Sequence, residues 1–281
     1  MATAVIKPVK DTPEIFIPRE HGATAMLLTP FIAAAILLRQ VYWPEFVALA
    51  AVACAFAIKD PLVVIARQRF VWKQEHAETR AAKRSALVQL LLLAICGITL
   101  MLVRDWRPFV PLFVAAGGFT VLAVAVNVRN KQRSELFQVA SAVALSSTCL
   151  IACLSATGSV PNWGWILWTL CALQAAAGIF VVHARLDARI AVRKGKIAPL
   201  QNRRTAFVCQ VLVLLAAAGF AALGRFWIAA ALIVAALCYL AELRRQKNPE
   251  SLQLPLKRVG LQALCLSIAY ALMVLVDLRH G

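Results

Sequence analysis

Acidic residues are what this chain has least of. In 281 residues, 13 Asp and Glu stand against 30 Lys and Arg, a formal net charge of +17. Soluble catalytic motifs are missing as well. There is no glycine-rich phosphate loop, HExxH, GxSxG or kinase signature set, which excludes the enzymes built on them. No recognised nucleic-acid module accompanies the positive charge, so no nucleic-acid partner is expected. Cysteine pairing signals are absent. All eight cysteines (Cys54, Cys96, Cys149, Cys153, Cys171, Cys209, Cys238, Cys265) lie inside apolar runs and none forms a CxxC, so they read as small buried hydrophobes. Cys149 and Cys153 share a helix face, but without a nearby His they make a weak metal site. Residues 1–18 carry Asp11, Glu14 and three prolines and show no signal-peptide pattern. No cleavage is expected, and the first apolar run should act as an uncleaved anchor.

What is present is apolar length. Hydrophobic residues make up 62% of the chain and mean hydropathy is +0.76, more than one soluble core of this size needs. Nine apolar runs stand out: 22–41, 46–66, 86–103, 108–128, 136–156, 165–182, 205–223, 226–243 and 259–278. Each is about 18–22 residues, enough at 1.5 Å per residue to cross a hydrocarbon core about 30 Å thick. The expected fold is all-α: a polytopic bundle of nine transmembrane helices. A segment 1–21 precedes a single membrane domain, 22–278.

The basic residues sort between alternate gaps. All but five of them (Arg39, Arg104, Arg107, Arg225, Arg279) lie at the N-terminus, in the second, fourth, sixth and eighth gaps or, for Lys59, near the second gap at the end of its helix. The positive-inside rule then puts the N-terminus in the cytoplasm and the C-terminus outside, as expected for a multi-pass membrane protein. Trp43, Trp106, Trp163, Trp165, Trp168 and Trp227 fall at the outer ends and Trp72 alone at the inner one, an interfacial belt that agrees with the charges. Membrane lipids are the expected partners, their anionic head groups meeting the basic loops.

The outer connections are short and the inner ones unequal. The two long inner gaps, roughly 67–85 and 183–204, follow spans two and six. That spacing would result from a parallel duplication of a four-helix unit, 22–128 and 136–243, with a ninth helix 259–278 appended. Both gaps start as continuations of the preceding helix and are rich in helix formers, so short cytoplasmic helices are expected there.

Few side chains are candidates for chemistry. Asp60 lies inside the second run beside Lys59 and Pro61. It either faces a polar cavity, where Pro61 frees a backbone carbonyl, or simply pairs with a snorkelling Lys59. His183 and Asp187 are spaced i, i+4 at the end of span six. They can hold a divalent cation or relay a proton, or belong to a basic juxtamembrane helix with one local ion pair. Arg185, Arg189 and Lys194 beside them, with Arg67 and Arg69 after span two, could hold phosphate. Glu20 and His21 open span one, and Glu135 opens span five, where a helix dipole favours a carboxylate. Gln138 lies one turn further on, and Gln174 sits mid-span among small residues.

The segment Pro18-Arg-Glu-His-Gly22, followed by Ala23 and Thr24, resembles the opening of the YwiC-like bacterial membrane proteins, Pro-x-Glu/Gln-His-Gly-Ala-Trp. Here Thr24 stands in place of the tryptophan. More distantly, the long inner gaps after spans two and six resemble the UbiA superfamily of intramembrane prenyltransferases. Those proteins carry two Asp-rich motifs at these places, holding Mg²⁺ against a prenyl diphosphate. The resemblance implies Asp60, Asp187 and His183 as catalytic or metal-binding candidates, and an isoprenoid or related lipid diphosphate as substrate. Only one Asp remains at each place, a poor cage for two Mg²⁺ ions. The other reading is a transporter or non-catalytic membrane protein, its ionisable residues serving ion coupling or assembly. Asp60 and Asp187 converging in one inner cavity would favour the enzyme.

Overall fold

The computed structural model describes residues 21–75, 78–131, 133–195, 200–253 and 256–280, and all the regular structure among them is helical. The helices are α1 (His21–Leu38), α2 (Trp43–Ala57), α3 (Lys59–Arg67), a π-helical turn (Gln68–Trp72), α4 (Glu78–Val103), α5 (Phe109–Val128), α6 (Glu135–Ser146), α7 (Thr148–Thr157), α8 (Asn162–Arg193), α9 (Leu200–Ala222), α10 (Phe226–Arg245), α11 (Pro249–Leu252) and α12 (Leu256–His280). Eight of the resulting segments are long and apolar enough to cross a membrane, and Gly22–Leu38 is a shorter apolar helix. The chain is a multi-pass helical bundle.

Two spans are interrupted, each for a local reason. The second is broken at Ile58 between α2 and α3. Pro61 has no N–H to offer the carbonyl of Ala57, and the neighbouring bonds, Ile58 N to Cys54 O and Leu62 N to Ile58 O, carry the helix past the gap. The fifth span breaks at Ser147, between α6 and α7. Both the backbone N–H and the hydroxyl of Ser147 turn to Ala144 O, so the carbonyl of Val143 loses its usual partner. The indole N–H of Trp168, on α8, donates to it at 3.0 Å. The hydroxyl of Thr148 donates to Leu27 O at 2.7 Å, pinning the break to α1. Hydroxyls competing with a helix ladder bend helices in this way.

α8 is the hub, packing on α6, α9 and α10 and touching α1, α7, α11 and α12. Its 32 residues span about 48 Å at 1.5 Å each, well beyond the hydrocarbon thickness. Around it lies a core that includes Leu167, Leu170, Ile228, Leu232 and Val274. α4 and α5 are peripheral: only 11% of the apolar window of each is buried, so their Leu, Val and Ile faces are lipid-facing surface. The long gaps hold no separate helices among the described residues. The first is taken up by the π-turn and the opening turns of α4, the second by the ends of α8 and α9. Among the described residues a short extra helix, α11, comes instead before the last span.

Candidate functional site

The ends bearing Arg67, Glu78, Arg129, Glu135, Arg193 and Arg245 form the basic end of the bundle, and most of the candidate residues lie there. The structure distributes them among separate helix pairs.

Asp60 lies 3.7 Å from Lys59, whose ammonium also sits 5.6 Å above the Phe56 ring. The snorkelling reading of this pair is therefore the one the geometry matches. Asp187 accepts a hydrogen bond from the side-chain amide of Asn202, on α9. α3 packs on α4 and α5, whereas α8 packs on α6, α9 and α10, and Lys59 and Asn202, the partners named here, lie on different helices.

His183 and Asp187 do not act as a pair. The His183 ring, mostly buried, contacts Gln138 Oε1 at 3.0 Å and Glu135 at 3.8 Å on α6. Four residues advance a helix by about 400°, so the two side chains are offset by about 40°. With α6 on one flank of α8 and α9 on the other, that offset sends them to different neighbours. The expected i, i+4 ligand pair is replaced by a Glu135–His183–Gln138 contact between α6 and α8.

Arg185 is 3% exposed and bonds to Glu242 of α10 and, at 2.7 Å, to Ser251 O. Its guanidinium is thus committed to the protein, not offered to a phosphate. Gln246, one turn beyond Glu242, donates to Val181 O at 3.2 Å. Glu242, Gln246 and Asn202 were not singled out from sequence. The available signal was Glu242 and Gln246 spaced i, i+4 at the basic end of an apolar helix. Arg189 is half-buried, and Arg69 and Lys194 are exposed. His21 is the first residue of α1, and Glu20 lies outside the described residues. Among the described residues no three His, Cys, Asp or Glu side chains are grouped as metal ligands would be. Asp60, held by Lys59 of its own helix, and Asp187, held by Asn202 of α9, are engaged separately and do not fit a shared Mg²⁺ cage.

Arg67 differs from Arg185. Its Nη2 donates to Asn127 O at 2.8 Å and Asn130 Oδ1 at 3.1 Å, and it lines a small half-open cleft with Val71, Trp72, Val128 and Asn130. The cleft has about 80 Å³ of free space. The π-turn that builds its wall is fixed by the Thr79 hydroxyl donating to the buried Gln68 side chain and ends at Lys73, in the left-handed region at φ 53°. Beside it, Glu75 and Lys83 pair at 2.7 Å, and the Lys83 ammonium holds the Glu75 carboxyl below its ordinary value.

At the far end, three of the five exceptional arginines are latches. Arg104 caps the end of α7 through Ser155 O and Ala156 O, Arg39 reaches Arg279 O at 3.4 Å, and Arg225 pairs with Asp277 at 2.6 Å. Cations suit helix C-terminal carbonyls and carboxylates, so the departure of Arg39 and Arg104, on carbonyls, and of Arg225, on Asp277, from the charge pattern has a structural reason.

No curated protein and no solved structure matches this chain. The family model described as YwiC-like protein matches residues 17–153, a stretch that opens on the Pro18–Gly22 segment and runs from α1 into α7; over it the chain is similar to that family, as the segment itself suggests.

Proposed function

We propose that this YwiC-like chain is a non-catalytic lipid-binding protein of the bacterial cytoplasmic membrane, N-terminus in and C-terminus out. In this reading its basic end meets anionic lipid phosphate at the cytoplasmic leaflet. The observation that carries it is the commitment of four half-buried carboxylates to the protein. Asp60 is held by Lys59, Asp187 by Asn202, Glu135 by His183 and Glu242 by Arg185. The cations Arg69, Lys73, Arg129, Lys131 and Lys194 stay exposed at the same end. An end whose half-buried carboxylates are engaged within the protein and whose cations stay exposed suits anion binding. Transfer of a prenyl group from a diphosphate would need those carboxylates to turn toward Mg²⁺ and give up their present partners.

The test is lipid extraction and mass spectrometry of the purified protein, together with incubation of nanodisc-embedded protein with farnesyl diphosphate and Mg²⁺. Co-purifying anionic lipid without diphosphate release supports the proposal. Mg²⁺-dependent release of diphosphate that is lost in Asp187→Asn overturns it in favour of transfer.

A further inference from the structure

We infer that the cleft between the π-turn after α3 and the end of α5 is a specific seat for the phosphate of an anionic phospholipid. This rests on the reading of the basic end as a lipid-phosphate surface, and it names the place and the donors. Arg67 is the central residue. One nitrogen, Nη2, makes both of its bonds, to Asn127 O and Asn130 Oδ1. The described residues give its Nε and Nη1 no partner. The guanidinium is therefore oriented by its neighbours and still has its other donors to offer. A planar fork held in place this way matches a phosphate better than a mobile lysine does.

Asn130 adds a second donor. Its Oδ1 accepts from Arg67, which fixes which way the amide points and leaves Nδ2 facing away from the arginine. Its backbone is in the left-handed region at φ 54°, held by the bonds Asn130 N to Asn127 O and Lys131 N to Val126 O. The exposed Arg69, Lys73, Arg129 and Lys131 lie on the same two chain segments, and the adjacent Glu75 is taken by Lys83.

The occupant is a lipid and not free phosphate because of the rest of the lining. Val71, Trp72 and Val128 are apolar walls. Phe70, Val71 and Trp72 are exposed at 69%, 52% and 50% just where α3 runs out. An exposed aromatic at the end of a spanning helix sits at head-group level, with acyl chains on one side of it and phosphate on the other. About 80 Å³ of free space admits a phosphate group and leaves the rest of the lipid along α3 and α5.

The experiment titrates detergent-delipidated protein with phosphatidylglycerol, phosphatidylcholine or inorganic phosphate and reads occupancy by native mass spectrometry. The parent should bind phosphatidylglycerol, and Arg67→Gln should weaken that by at least about tenfold, the worth of a charge-assisted contact. Arg244→Gln, an exposed cation at the same end and the same change in charge, should leave it within about twofold, as a substitution away from the contact does. In the parent chain, a diazirine-bearing phosphatidylglycerol should crosslink within residues 67–73, a readout that needs no variant to fold. If Arg67→Gln and Arg244→Gln lose affinity equally, or the crosslinks fall only elsewhere, the seat is wrong and the broader lipid reading survives. If inorganic phosphate binds as well as the lipid, the occupant is wrong. If the parent binds phosphatidylcholine as well as phosphatidylglycerol, the underlying reading falls.

Discussion

Arg185 and Glu242 form an ion pair across the α8–α10 interface, with Arg185 3% exposed and a second bond from the same guanidinium to Ser251 O. This contact joins α8, α10 and α11 where the bundle meets the basic loops. Its energetic meaning lies in what happens when half of it is removed.

Glu242→Ala should be strongly destabilising, because it leaves Arg185 charged and desolvated among apolar neighbours. Breaking a buried pair from one side costs about 3–5 kcal/mol. The double change Arg185→Met with Glu242→Leu should recover most of that loss, since no charge is then stranded. Unfolding in mixed micelles with rising dodecyl sulfate measures both; a Glu242→Ala protein as stable as the parent would mean that the pair contributes little.

Gly178 and Tyr239 predict a steric result. A Cβ placed on Gly178 would lie 2.7 Å from the Tyr239 hydroxyl oxygen and 3.2 Å from the ring carbon that carries it. That hydroxyl is fixed, accepting from Gln174 Nε2 at 3.0 Å. Gly178→Ala should cost about 1–3 kcal/mol, as overpacking does. Tyr239→Phe in the same chain should relieve part of the cost by removing the closest atom. Tyr239→Phe alone should cost only about 0.6 kcal/mol, a typical hydrogen bond between helices in a membrane. If the double variant is no better than Gly178→Ala, the contact is not the cause.

Much of this architecture was legible because it depends on local properties. Run length sets the spans, and the sorting of Lys and Arg sets which helix ends lie together; the contacts of Arg67 with Asn127 and of His183 with Glu135 occur at ends the charges had already grouped. Partner choice was not legible. His183 and Asp187 share a face by periodicity, but their partners depend on how α8 is rotated between α6 and α9, which spacing does not encode. The break at Ser147 was hidden for a related reason. Serine and threonine are ordinary in apolar helices, and only the nearby Leu27 and Trp168 turn these two into a break.

Asp277 links α12 to the start of α10 in two ways: Oδ1 accepts from Trp227 N and Ile228 N, at 3.2 and 3.4 Å, and Oδ2 meets Arg225. Asp277→Asn keeps an acceptor for the helix start and loses the charge. Asp277→Ala loses both. The alanine variant should be the less stable of the two, by about 0.5–2 kcal/mol, the worth of a cap. Thermal unfolding in detergent ranks them, and equal stabilities would assign the whole effect to the ion pair.

The Glu75–Lys83 pair gives a pH dependence with a defined sign. Lys83 lowers the Glu75 carboxyl below its ordinary value of 4.5. A depressed acid contributes stability above the unfolded value, and that contribution disappears as pH falls through the folded value. The parent should therefore exceed Glu75→Gln slightly above pH 4.5 and converge with it in stronger acid. Both side chains are largely exposed, so the gap should be small and should shrink in high salt. A gap that widened in acid would contradict the pairing.

Asp187 decides between lipid binding and transfer. It accepts from Asn202, and an asparagine of the same shape can still accept through its Oδ1. Asp187→Asn should leave folding, yield and co-purifying anionic lipid unchanged, because the interaction needs an acceptor and not a charge. A metal-binding carboxylate behaves differently, since the neutral amide is a weak ligand for Mg²⁺ and turnover of a diphosphate would collapse. The comparison to run is the parent, Asp187→Asn and Asn202→Ala, each assayed for lipid content and for Mg²⁺-dependent diphosphate release. Asn202→Ala frees the carboxylate without removing it. If that variant gained Mg²⁺-dependent binding of a prenyl diphosphate, the Asn202 contact would be a lock on a catalytic aspartate, and the non-catalytic proposal would have to be given up. Unchanged lipid content and no release in all three is the expected result.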